Sequence, residues 1–163
     1  MRRTRIYLDT SPIIMMGPDQ DPIRQAITQE FFRIVAEKSE EYELFVSPAT
    51  LDELEAGSKE QRAASELFLA TFDYTRLRQS DEAESLTETY ISNGVLSEKH
   101  IDDLTHIAYA VVSRCDYVVT WNMRHLANER TFRRVNTVNH VENYGKIYLT
   151  TPEFFTGGTI YGK

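Results

Sequence analysis

The chain has one cysteine, no long apolar run and no surplus of positive charge, and each shortage narrows what it can be. Cys115 alone cannot close an internal disulfide, which excludes a disulfide-stapled secreted scaffold. The Arg2-Arg3 start meets only Ile6-Tyr7-Leu8 before Asp9 interrupts it, far short of a signal or membrane segment, so a reducing, cytoplasmic setting without membrane contact is expected. A formal net charge of -7 argues against coating nucleic acid by bulk electrostatics, because phosphate contacts need Lys and Arg. The acids are unevenly spread, dense over 30–60 and 81–88. Arg124, Arg130, Arg133 and Arg134 meet only Glu129 in their stretch, which leaves either a local basic patch or one solvated helix face.

What is present fits one globular domain. A chain of 163 residues, 41% hydrophobic and 26% charged, is long enough for a single core, expected over about 4–150 of a domain spanning 1–163, with a short glycine-rich tail and no repeat, linker or low-complexity tract. Residues 6–8 form a short buried strand, closed by the turn chemistry of Thr10-Ser11-Pro12. Over 22–39, Ile23, Ile27, Phe31, Ile34 and Val35 recur at three- and four-residue steps, predicting an amphipathic helix. Residues 44–46 are a second strand. Ser47-Pro48 then stands in the order of an N-cap and first helical residue, opening a short helix that carries Glu53 and stops near Gly57.

Helices are predicted over 60–72 and 81–92, the second ended by Asn93-Gly94, with a further strand over 74–77. Ser97 reads as the N-cap of a helix to about residue 114, whose apolar stripe is Ile101, Leu104, Ile107, Ala108 and Val111. Residues 117–121 are β-branched and aromatic and predict a strand. An Arg- and Asn-rich helical stretch runs from there to residue 144, and residues 146–149 make a final strand.

Strands alternating with helices imply an α/β fold, a central parallel sheet flanked by helices on both faces. Ligands of such sheets collect outside the carboxyl ends of the strands. The first strand ends there in Asp9 and the 117–121 strand in Asn122, while Glu53 and Asp103 sit on helices that can face the same edge. Asp9, Glu53 and Asp103 together suit a hard cation such as Mg²⁺ or Mn²⁺, which prefers oxygen ligands and few protein carboxylates. Such ions activate water and neutralise charge on a phosphodiester as it is displaced, so no protein nucleophile is needed.

The segments Ile6-Tyr7-Leu8-Asp9-Thr10-Ser11, Ser47-Pro48-Ala49-Thr50-Leu51-Asp52-Glu53-Leu54 and Asp103-Leu104-Thr105-His106-Ile107-Ala108-Tyr109-Ala110 resemble the successive acidic motifs of PIN domains, and 116–125 is similar to their last motif. The likeness covers about 4–150 and is nearest to the VapC-like toxins of type II toxin–antitoxin pairs. It implies a PIN-like fold, Mg²⁺- or Mn²⁺-dependent endoribonuclease activity, dimerisation, and in many members a small antitoxin that blocks the site. The family's first acid falls on Asp9, its helix Glu on Glu53 and its third acid on Asp103 rather than Asp102. Its last motif, Thr, any residue, Asp, is here Thr120-Trp121-Asn122. Asn122 is a departure, since a neutral amide can coordinate through its carbonyl oxygen but adds no charge and cannot act as a base. The implied catalytic set is Asp9, Glu53, Asp103 and Asn122, with the three acids as metal ligands.

Each residue also has a plainer reading. Asp9 before Thr-Ser-Pro can simply cap a turn, Glu53 can be an exposed helix acid, and Asp103 can serve its helix N-terminus. Thr10, Ser11 and Thr120 can position a water or phosphate, or satisfy loop backbone, and Arg124 and Arg130 can contact substrate. His106, one turn after Asp103, reads as a buried, hydrogen-bonded histidine sooner than as a ligand or base, and His100 and His125 carry less signal still. Cys115 and Trp121 read as core residues. A haloacid-dehalogenase-type phosphatase needs a second Asp where Ser11 stands, and a phosphoacceptor receiver domain needs a Lys that Asn122-Met123-Arg124 does not supply. The rival of a different class is a catalytically silent PIN-like module that binds RNA or protein, motivated by Asn122 and the acidic surface.

Overall fold

The computed structural model describes residues 2–157; the glycine-rich tail, with Gly158 and Gly162, lies outside them. Five strands, β1 (Thr4–Leu8), β2 (Tyr42–Val46), β3 (Thr75–Arg76), β4 (Tyr117–Val119) and β5 (Tyr148–Thr150), form one sheet in the order β3-β2-β1-β4-β5. All four pairings are parallel, with Tyr7 opposite Phe45 on one side and Val118 on the other. The helices are α1 (Thr10–Ile14), α2 (Pro22–Glu37), α3 (Pro48–Glu55), α4 (Lys59–Leu69), α5 (Asp81–Ser92), α6 (Ile101–Val112), α7 (Glu129–Val141) and α8 (Glu153–Thr156).

Strand alternation divides the core between the two faces of the sheet. Tyr7, Phe45 and Val118 point to a layer built with Leu86 and Tyr90 of α5, Leu104, Ile107 and Val111 of α6, and Val135 and Val138 of α7. Ile6, Leu8, Leu44, Val46 and Val119 point to the other, built with Phe31, Phe32 and Val35 of α2, flanked by Phe68 of α4 and Phe155 of α8. Both faces are thus covered, which is why the central strands read as continuous apolar runs.

Helix starts follow the local chemistry in most places. Asp21 accepts from Arg24 N, Ser80 from Ala83 N and Asn128 from Thr131 N; Ser47 accepts from both Ala49 N and Thr50 N with Pro48 in the first helical position. α5 ends as predicted at Asn93-Gly94, where Gly94 adopts φ +69°, a conformation glycine takes without steric cost.

Several elements differ from the sequence reading. Ser97 opens a single 3₁₀ turn, Glu98–His100, without a side-chain cap, and α6 starts only at Ile101, so Asp102 and Asp103 occupy its first turn, at the positive end of the helix dipole. Thr10-Ser11-Pro12 does not merely turn; it begins α1. β4 stops at Val119, because Trp121 N turns away to donate to Ser11 Oγ (2.8 Å). The last strand starts two residues later than expected, at Tyr148, and α8, which the sequence reading lacked, follows it.

Candidate active site

β1 and β4 lie side by side at the middle of the sheet, and the chain leaving their carboxyl ends carries Asp9 and Thr120-Trp121-Asn122. Asp9 precedes α1, yet its carboxylate makes no cap hydrogen bond to that helix. It turns inward instead: Oδ2 accepts from Thr120 Oγ1 (2.6 Å) and Ser11 Oγ (3.0 Å), while Oδ1 lies 3.3 Å from His106 Nε2. Glu53, on α3, reaches the same imidazole, its Oε1 2.9 Å from His106 Nε2, and also accepts from Thr10 Oγ1. Thr10, Ser11 and Thr120 therefore spend their hydroxyls on the two acids, fixing where the carboxylate oxygens point.

Asp103 stands on α6 one turn before His106. Its Oδ1 accepts from Asn122 Nδ2 at 3.4 Å, and Asn122 Oδ1 accepts from His125 N (3.0 Å), so the Asn122 amide bridges Asp103 and the loop after β4. Asp103 is half-buried whereas Asp102 is exposed.

His106 is where the site meets the core. Its side chain is only 1% exposed, and Nδ1 lies 2.6 Å from the hydroxyl of the fully buried Tyr7. That hydroxyl also meets Ser47 Oγ (2.6 Å) and Thr50 Oγ1 (3.1 Å). Thr50 gives its proton to Leu8 O, so toward Tyr7 it can only accept. Ser47 accepts from Ala49 N and Thr50 N, which leaves its proton for Tyr7. Two proton arrangements are then compatible with the contacts of the Tyr7 hydroxyl. Tyr7 can donate to His106 Nδ1, with Nε2–H donating to Glu53; or Nδ1–H can donate to Tyr7, with the Tyr7 proton on Thr50, which leaves the Nε2 lone pair facing the carboxylates.

Among the described residues, Asp9, Glu53 and His106 form a group whose ligand atoms all lie within 4.8 Å of one another, close enough to hold a metal ion. Two carboxylates with one imidazole fit a hard to borderline divalent cation. Its histidine is the member that the sequence reading ranked below Asp103. The Asp103–His106 helix spacing was a signal, but the tie to Tyr7, 99 residues away, was not visible in it.

Two solved structures share this architecture. VapBC2 from Rickettsia felis, bound to a DNA fragment from its promoter, matches with a TM-score of 0.58 and 13% identity, over 90% of this chain and 97% of that one. VapC20 from Mycobacterium tuberculosis, a sarcin-ricin loop cleaving toxin, matches with a TM-score of 0.54 and 18% identity, over 74% of this chain and 92% of that one. The chain has the PIN-domain fold of the VapC proteins. At such identities the likeness is one of fold; no protein-family model and no curated protein matches the sequence.

The electrostatics of this PIN fold are those of a strained acid cluster with a buried base. Burial, and then repulsion from Asp9, raise the Asp103 pKa above the ordinary carboxylate value, against the pull of His106, His125 and His100. At Glu53 burial works upward too, but the hydrogen bond and charge of His106 and the Thr10 hydroxyl hold its pKa below the ordinary value. Burial works to lower the His106 pKa, and the hydrogen bond to Glu53 with the charges of Asp9, Glu53 and Asp103 raises it on balance. The four arginines noted above divide: Arg133 pairs with Glu129 (2.6 Å) and Arg134 reaches the carbonyls of Gly94 and Val95. The side chains of Arg124 and Arg130 are exposed and, among the described residues, are in no ion pair or hydrogen bond.

Proposed function

We propose that this PIN fold is a metal-dependent endoribonuclease of the toxin type, hydrolysing RNA phosphodiester bonds, and that one domain over 1–163 carries the activity. The observation that carries the reading is the gathering of Asp9, Glu53 and His106 within 4.8 Å at the carboxyl edge of the central strands, with Asp103 adjoining. A nuclease reading is supported by the VapC20 neighbour, a sarcin-ricin loop cleaving toxin.

Asp9, Glu53 and His106, whose ligand atoms lie within 4.8 Å of one another, would hold Mg²⁺ or Mn²⁺, and Asp103, one helix turn before His106, would add its charge beside them. When bound, the ion supplies Lewis-acid activation of water and neutralises charge on the phosphodiester. The chain's own part is orientation. Thr120 and Ser11 fix Asp9, Thr10 and His106 fix Glu53, and Asn122 holds Asp103 in place through its amide nitrogen. Arg124 and Arg130 contact the RNA strand, and a homodimer and a small antitoxin partner belong to the same proposal, the antitoxin supported by the VapBC2 neighbour. No helix among the described residues is long and apolar enough to cross a membrane.

Cleavage of single-stranded RNA in Mn²⁺ by the wild-type chain, abolished in Asp9→Asn, is the expected result. A wild-type chain that binds RNA in Mn²⁺ without cutting it replaces the nuclease with the silent binding module.

A further inference from the structure

Two histidines outside the metal-ligand group stack on each other beside it. His100 ends the 3₁₀ turn before α6, and His125 lies in the loop after β4, yet their ring centroids are 4.0 Å apart at a tilt of 34°. His100 Nδ1 lies 3.8 Å from Asp103 Oδ2, too long for a hydrogen bond. The ring stack sets His125 beside His100, and Asn122, whose Oδ1 accepts from His125 N, donates through Nδ2 to Asp103 Oδ1 (3.4 Å).

The contrast with His106 is instructive. Both nitrogens of His106 are engaged in the fold. Those of His100 and His125 make no hydrogen bond among the described residues; His125 is tied down by its backbone alone, its N–H to Asn122 and its carbonyl to Thr131. Both rings are half-buried, and one face of each is covered by the other, so their unspent capacity lies in the ring nitrogens. Each histidine also follows an exposed cation in sequence, Lys99 before His100 and Arg124 before His125.

Resting on the nuclease reading, we propose that His100 and His125 form a phosphate clamp that grips the RNA backbone beside the bond to be cut. A neutral imidazole already carries one N–H donor, so the pair supplies two donors to the non-bridging oxygens of a phosphodiester without any change of charge. Lys99 and Arg124 add the positive charge that the acid cluster lacks. The clamp answers an electrostatic problem of the site, which must draw a polyanion toward three carboxylates.

The test uses the full chain, Mn²⁺ and a short single-stranded RNA. In the His100→Phe/His125→Phe double variant the ring stack remains and both N–H groups go. KM is expected to rise roughly tenfold to hundredfold, as for loss of hydrogen bonds to a charged group, with kcat changing less and Mn²⁺ affinity unaltered. His100→Gln/His125→Gln, which restores an amide N–H at each site, is expected to recover part of the loss. A Phe double variant with wild-type KM overturns the clamp, and so does a KM loss matched by an equal loss of Mn²⁺ affinity, which would mean the rings act through Asp103. Equal KM in the Phe and Gln variants would mean that a restored N–H donor contributes nothing, and overturns it too. If the Phe variant does not fold, His125→Ala alone removes one donor without adding bulk and is read the same way. A wild-type chain that never cuts RNA defeats the nuclease reading separately. RNA affinity by fluorescence anisotropy then decides the clamp, supported if Phe weakens it and Gln recovers it, overturned otherwise.

Discussion

Replacing Tyr7 by Phe removes one oxygen from the middle of the sheet and isolates the role of the buried imidazole. The ring keeps its place in the core, where Tyr7 is fully buried. Ser47 retains its two backbone donors and Thr50 retains Leu8 O, but His106 Nδ1 loses the partner 2.6 Å away. An orphaned buried polar group costs about 1–3 kcal/mol, which in a chain of this length is roughly 2–12 °C in Tm. The hydroxyl also holds the His106 ring through Nδ1, and losing such an outer partner lowers metal affinity by roughly 10–100-fold. Thermal melting and Mn²⁺ titration of Tyr7→Phe give both numbers, and repeating the melt in a His106→Leu background tests their origin. With the imidazole gone only the Ser47 hydroxyl proton loses its partner, so Tyr7→Phe should then cost less, the difference being a coupling of about 0.5–3 kcal/mol. An equal cost in both backgrounds, or a single variant indistinguishable from wild type in Tm and Mn²⁺ affinity, would refute the reasoning.

Three further outcomes are expected. Mn²⁺ at a hundred times its Kd should add about 2.7 kcal/mol, roughly 5–11 °C in Tm, and differential scanning fluorimetry should find this shift lost in Asp9→Asn. In chelator-treated protein the raised His106 pKa contributes stability that is complete below the ordinary histidine value and lost as pH rises through the folded pKa. Tm should therefore fall from mildly acidic toward alkaline pH, more steeply than in His106→Gln, while the lowered Glu53 pKa gives the opposite loss only in acid. Asn122→Asp removes the donor to Asp103 and adds a like charge beside it, so it should destabilise the metal-free chain and tighten divalent binding in calorimetry, with cleavage by wild type already present and only modestly changed.

The alternation of strands and helices was legible because apolar periodicity and cap residues are local, and Ser47-Pro48 or Asn93-Gly94 need no partner to act. Strand-end logic likewise pointed to Asp9 and Glu53 at a shared edge, but the group within ligand distance of one ion contains His106 and not Asp103. What escaped depends on residues far apart in sequence. Thr120 and Trp121 have β-forming side chains, yet a serine hydroxyl 110 positions away draws the backbone of Trp121 out of the sheet. Nothing near Ser97 reveals that α6 begins late, and nothing near His106 reveals Tyr7. The short α8 packs through Phe155 against Phe31 and Tyr117, contacts that no local signal announces.

The central pairing of β1 with β4 joins segments more than a hundred residues apart, Tyr7 beside Val118. Closing so long a loop comes late in folding, because its entropy cost precedes its contacts. On a ribosome, Asp9 and Glu53 emerge early but have neither His106 between them nor Thr120 to aim Asp9 until residue 120 has been made. A nascent chain therefore carries two carboxylates without the imidazole and the hydroxyl that orient them, so the acid cluster is assembled only after the segments at both ends of that loop exist.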